Sequence, residues 1–244
     1  MKVAWFSTGV SSFCSILLAK DVDKIIYTHI DDQHEDSLRY LRDCEKYLGR
    51  EIEILQSPYK DVDSAIRAFG FCPSAAGFKC TEVLKRRVRK QWERENKGQH
   101  TYVWGYDIEE AERAERLCEA MPKQRHEFSL IKAQLTKKDC HGALIKTGIK
   151  RPYMYELGYN NNNCIACLKG GMGYWNKIRV DFPERFKARS QLERDTNHSF
   201  INGIFLDELD PNRGRMSKEI MPECGIACEI ASYEMEQEAE HGTD

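Results

Sequence analysis

Two rhythms of apolar and polar positions alternate along the first half of the chain. Short apolar runs at KVAWFS (2–7), KIIYTHI (24–30), EIEILQS (51–57), TYVWGY (101–106) and EFSLIKA (127–133) have the length and composition of strands. Helical spacing fills the gaps between them, over residues 11–20, 36–49, 62–70 and 109–121. The second of these places Leu38, Leu41, Tyr47 and Leu48 on its apolar side, starts at an Asp36–Ser37 cap and stops at Gly49. Strands separated by helices predict an α/β fold, a Rossmann-like parallel sheet with helices on both faces. Ligands of such sheets bind at the carboxyl ends of the strands. The segment Ser7–Ser12, the pair Asp31–Asp32 and the segment Gly105–Asp107 all fall at such ends.

After Lys150 the texture changes to Asn, Gly and aromatic residues with frequent turn signals. A charged helix over 175–197 and a short strand, FINGIFL (200–206), follow. The expected division is a nucleotide-binding α/β unit at 1–150 and a smaller cysteine-bearing region at 151–244, with no internal repeat.

Composition narrows the class. A chain of 244 residues with 41% hydrophobic and 31% charged residues can bury a real core. A net charge of -2 argues against a generally basic nucleic-acid binder. The run KRRVRKQWERENK (85–97) is nevertheless basic, whereas the last sixteen residues carry acids and neither Lys nor Arg. The basic run reads either as a solvated helix face over a stripe of Val83, Leu84, Val88 and Trp92, or as an anion-facing surface. No apolar stretch has transmembrane length, and the hydroxyl residues that break the N-terminal apolar run argue against a signal peptide. A cytoplasmic protein is expected, with no membrane partner. Its ten cysteines are then reduced, which points to metal binding or thiol chemistry.

Two places carry candidate chemistry. Ser7-Thr8-Gly9-Val10-Ser11-Ser12, between a strand and a helix, has neither the Walker spacing nor the three glycines of the dinucleotide fingerprint. It can still bind an anion through backbone N–H groups at the helix N-terminus and its own hydroxyls. Cys164-Ile165-Ala166-Cys167 and Cys224-Gly225-Ile226-Ala227-Cys228 each bring two thiols into a short segment, suiting zinc or one edge of an iron–sulfur cluster. Cys14, Cys44 and Cys118 fall on apolar helix faces and read as core. Cys72 and Cys80 bracket a loop beside the sheet edge, with Cys80 a further candidate ligand. His34 reads as a hydrogen-bonded residue near the ligand edge. Gly170–Gly171 with Tyr174–Trp175 reads as an anion turn with a stacking platform or as a loop with two anchoring aromatics.

The first of these places resembles the PP-loop of the adenine nucleotide alpha hydrolase superfamily, which includes the ATP pyrophosphatases and the phosphoadenosine phosphosulfate (PAPS) reductase family. Further segments are similar in order: Asp31, Asp36 and Ser37 in IDDQHEDSLRYL, Cys80 and Lys85 in KCTEVLKRR, and Gly105, Glu110 and Arg113 in GYDIEEAERAERL. Ser11 stands where the ATP pyrophosphatase loop has Asp, Thr8 where it has Gly, and Asp107 where the PAPS reductase family often has Arg. NNNCIACLKGG resembles the cluster-binding segment of DNA phosphorothioation sulfurtransferases. ECGIAC resembles the segment bearing the catalytic cysteine of sulfonucleotide reductases, with Ala227 in place of its His.

The resemblance implies a sulfur-linked enzyme that binds an adenine nucleotide, ATP or a sulfonucleotide, with Mg. Ser7, Thr8, Gly9, Ser11, Ser12, Asp31, Lys85, Gly105, Glu110 and Arg113 would bind that nucleotide. Asp31 would be catalytic, and Cys224 would be either the nucleophile of a sulfonucleotide reduction or, with Cys164, Cys167 and Cys228, a ligand of an iron–sulfur cluster or zinc. A nucleic-acid substrate, a thioredoxin-like protein or a sulfur-donor protein would be the partner. An ATP pyrophosphatase-type ligase with structural zinc and a catalytically inactive nucleotide-binding protein are the alternatives.

Overall fold

A computed structural model describes residues 1–70, 73–74, 77–201 and 203–218. Five parallel strands form one sheet: β1 (Lys2–Phe6), β2 (Lys24–His29), β3 (Glu53–Gln56), β4 (Thr101–Val103) and β5 (Arg125–Glu127), in the order 3-2-1-4-5. The order reverses between β1 and β4, which opens a crevice outside their carboxyl ends.

Strand alternation sorts side chains to the two faces of the sheet. Ala4, Phe6, Ile25 and Tyr27 pack under α1 (Val10–Leu18) and α2 (Asp36–Leu48). Val3, Ile26 and Tyr102 face the other way, onto Trp92 of α4 (Arg87–Glu95) and Leu117 of α5 (Ala111–Ala120), elements that follow α3 (Val62–Phe69). On the first face lies α6 (Lys137–Thr147), with Cys140 and Leu144 buried against α1. The chain is thus an α/β fold with helices on both faces of a parallel sheet.

A third cluster lies beyond the sheet's edge and joins the two segments divided at Lys150. Ile30, Ile66 and Leu84 pack there with Met154, Ile165, Trp175 and Ile178. The last two belong to α7 (Met172–Asp181), which is followed by α8 (Pro183–Thr196). No helix among the described residues is long and apolar enough to cross a membrane.

Several local expectations are corrected. The fifth strand ends at Glu127, and Ser129–Lys132 form one helical turn. That turn sends Leu130 to one face of the sheet and Phe128 and Ile131 to the other, a sorting that an apolar run alone cannot reveal. The helix expected over 175–197 is two helices meeting at Phe182–Pro183, where proline has no N–H to donate. The described residues of 200–206 form no strand. Gly203 turns the chain at φ +74° and one residue-pair bridge joins Ile201 to Ile204. The buried Glu193 carboxylate accepts the N–H groups of Phe200 and Leu206, doing a neighbouring strand's work.

Leu38, Tyr47 and Cys118 are exposed rather than core, and Tyr40, Leu41 and Cys44 carry the buried face of α2. In the basic helix the stripe includes Val83, Leu84 and Trp92, but Val88 is only half-buried and Arg89 is buried against Glu93. Neither Asp36 nor Ser37 caps the start of α2; both bond to distant segments instead.

Candidate functional site

The hydroxyl-rich loop leaves β1 beside the reversal of strand order. Thr8 adopts φ +57°, the left-handed region, and its hydroxyl donates to the Ser7 carbonyl at 2.6 Å. Ser12 Oγ accepts from the Ser7 hydroxyl at 3.0 Å and donates to the Gly9 carbonyl at 2.9 Å, closing the loop upon itself. The first N–H groups of α1 have no intrahelical acceptor and lie at this point. Gly105, leaving β4, packs on the same turn. A Cβ there would stand 2.6 Å from Ser12 Cα, so only glycine allows the two loops to meet. Ser11 is buried at 1% exposure, and its hydroxyl has no hydrogen-bond partner among the described residues.

The two adjacent aspartates part company. Asp31 is exposed and directed toward β3, accepting from Gln56 Nε2 at 2.6 Å and lying 3.4 Å from His29 Nε2. Asp32 is buried and accepts from Arg189 at 2.7 Å, Arg185 at 3.2 Å and the Val62 N–H at 2.7 Å. Arg189, 1% exposed, also bonds Asp63 and the Ala166 carbonyl. Burial in turn pushes the Asp63 carboxyl up, against the pull of Arg189.

This buried ion cluster suspends the first cysteine pair. Ile165 N–H donates to the Asp32 carbonyl at 2.8 Å, and Gln33 bridges Cys164. Ala166 turns the segment at φ +56°. The Tyr174 hydroxyl accepts from Cys167 N–H at 2.9 Å and donates to the Cys164 carbonyl at 3.3 Å. Tyr174 and Trp175 are thus buried anchors of the cysteine turn, and Gly170 leaves room for the Tyr174 ring.

The cysteine segment and the hydroxyl loop touch through Asn162. Its Nδ2 donates to the Thr8 carbonyl at 3.0 Å, with Thr8 Oγ1 at 3.2 Å and Ser37 Oγ at 3.0 Å. Gln33 approaches the Thr8 hydroxyl at 3.4 Å and is itself bonded by Tyr27. The Tyr155 hydroxyl accepts from Val10 N–H at 3.5 Å.

Cys164 and Cys167 share a cleft of about 340 Å³, open mouth included, with Cys80, Thr81, Leu84 and Lys169. Among the described residues no three His, Cys, Asp or Glu side chains are grouped to hold a metal ion. Cys72, Cys224 and Cys228 lie outside the described residues. Lys85, half-buried, lies on the wide π-helical turn over Glu82–Arg86 that leads into α4. Arg113 folds back onto Glu110 at 2.6 Å and over the Tyr106 ring at 4.8 Å. His34 accepts the Asp36 N–H at 3.1 Å, a hydrogen-bonded turn residue.

Sequence reasoning placed Asp32 at a strand end without its buried role, and missed Arg189, Asn162 and Lys137. The Thr136-x-x-Asp139 capping box was a readable sign of α6 and so of Lys137. Nothing local marked the others.

No known family's sequence profile matches the chain. It is similar to the uncharacterized protein MJ0066 of Methanocaldococcus jannaschii, at 24% identity over 203 residues. The match covers 78% of this chain and 41% of that protein, so the chain spans well under half of its relative's length.

Proposed function

We propose that the chain is a PAPS reductase-like, PP-loop enzyme that binds an adenine nucleotide at the Ser7–Ser12 loop and carries out sulfur-linked chemistry with the adjacent thiols. The observation that carries this reading is the Asn162 contact, which joins the anion-binding loop to the Cys164–Cys167 turn. A nucleotide site and a thiol site built as neighbours suit sulfur transfer to or from a nucleotide-activated group. ATP-activated sulfur transfer, with the cysteines holding a cluster or zinc, is favoured over sulfonucleotide reduction because Cys80, Cys164 and Cys167 line one cleft. Cys164 and Cys167 supply two thiolates, and Cys224 and Cys228 are the candidates for the rest. Met216 lines a cleft with Cys164 and is eight positions before Cys224. Such a stretch spans at most about 29 Å.

A second reading, nucleotide binding without turnover, is favoured by Ser11. It stands where the ATP pyrophosphatase loop has Asp, and its buried hydroxyl carries no charge to hold a metal ion. ATP-to-pyrophosphate turnover would exclude it.

The test is iron, zinc and acid-labile sulfide content, with a visible spectrum, on protein purified without oxygen. Iron and sulfide in proportion support the cluster-bearing sulfurtransferase. Stoichiometric zinc points to a ligase-type reaction with a structural site. Absence of both, with a reactive Cys224, moves the assignment to sulfonucleotide reduction.

A further inference from the structure

Lys137 and Lys138 are the first two residues of α6, after the Thr136 cap. Cations at that end of a helix oppose its dipole, so their placement costs stability unless an anion is near. Lys138 is exposed, but Lys137 is half-buried. Its ammonium lies 5.9 Å from the centre of the Tyr155 ring and donates to Oδ1 of Asn161. Among the described residues no carboxylate pairs with it.

Both neighbours belong to the rim of the hydroxyl loop. Tyr155 accepts from Val10 N–H, and Asn162, next to Asn161, donates to the Thr8 carbonyl. Cys14 Sγ donates to the Cys140 carbonyl at 3.4 Å, which holds α1 against the first turn of α6. Two helix N-termini and an ammonium held by a neutral amide therefore converge beside one glycine loop.

We infer that Lys137 is the cation of the phosphate subsite, receiving the phosphate groups of a nucleotide whose chain begins at the N-terminus of α1. The ammonium exchanges its amide acceptor for a phosphate oxygen, a stronger, charge-assisted partner. The inference rests on the nucleotide reading above and narrows its ligand to a phosphate-rich adenine nucleotide.

Isothermal titration of the full chain with ATP, 3′-phosphoadenosine 5′-phosphate and adenosine tests it, using wild type, Lys137→Met and Lys137→Arg. The expected result is a loss of about tenfold or more for one or both phosphate-bearing probes with Lys137→Met. Adenosine affinity and the thermal midpoint stay as in wild type, and Lys137→Arg keeps most of the binding. If Lys137→Met does not fold, Lys137→Gln takes its place. Phosphate-bearing probes that bind the neutral variant as they bind wild type overturn the inference and leave the nucleotide reading standing. A folded wild type that binds no adenine nucleotide overturns both.

Discussion

The hydroxyl loop and the cysteine turn face each other across Asn162, yet they are held by opposite means. The loop is largely local: Ser7, Gly9 and Ser12 bond among themselves, and the β1-to-α1 connection sets their direction. The cysteine turn depends on distant partners, since Asp32, Asp63 and Arg189 meet only in the folded chain. A locally bonded loop tolerates change elsewhere, whereas a turn hung on a buried ion cluster stands or falls with the whole edge of the sheet. The buried charges are a weak source of net stability when intact and a large liability when one is removed.

Removing Arg189 is therefore the most severe way to break the comparison. Arg189→Met leaves the buried Asp32 carboxylate with only the longer contact to the half-exposed Arg185 and the Val62 N–H, and a loss of about 3 kcal/mol is expected in urea unfolding. A loss under about 1 kcal/mol would mean that the cysteine turn has another support. Gly105→Ala attacks the other region, because its Cβ meets Ser12 backbone atoms at 2.6–2.7 Å. Destabilisation of about 1–3 kcal/mol is expected, with weakened ATP binding and unchanged alkylation of Cys164 and Cys167. Faster alkylation would show that the two regions are not separately built.

Asn162→Ala removes the link itself. The expected cost is about 1 kcal/mol, the net worth of a buried hydrogen bond, together with weaker ATP binding and faster alkylation of Cys164. A change confined to one region would deny the coupling.

The smallest effect is a pH dependence at Asp36. Two hydrogen bonds from Arg39 at 2.8 Å, and one from Tyr153 N–H, hold its carboxyl below the usual range. A lowered folded pKa gives stability that is present above the unfolded value, about 4, and lost as pH falls through the folded one. The thermal midpoint of Asp36→Asn should lie below wild type at neutral pH by the equivalent of about 0.5–1 kcal/mol or less. The gap should close on acidification, and a gap constant down to pH 2 would count against the pairing.

Much of the first half was legible because its information is short-range. Strand alternation, the glycine after α2 and the hydroxyl loop each need only a few neighbouring residues. The strand expected at 200–206 failed for a physical reason: a buried Glu193 carboxylate, not a neighbouring strand, takes two of its N–H groups. The pair Asp31–Asp32 shows the limit most clearly. Both are strand-end acids in the sequence, and only the packing of α8 makes one an exposed partner of Gln56 and the other the buried anchor of Arg189.

The sequence by itself determined the α/β alternation, the place of the hydroxyl loop at a strand end and the spacing of each cysteine pair, because these follow from local periodicity and turn chemistry. Tertiary structure alone decided that Asn162 joins loop to cysteine turn, that Cys80 shares the cleft of Cys164 and Cys167, and that Lys137 stands beside the loop. Those contacts join residues far apart in the chain, and burial of two cores, the one under α1 and α6 and the one beyond the sheet edge, brings them together.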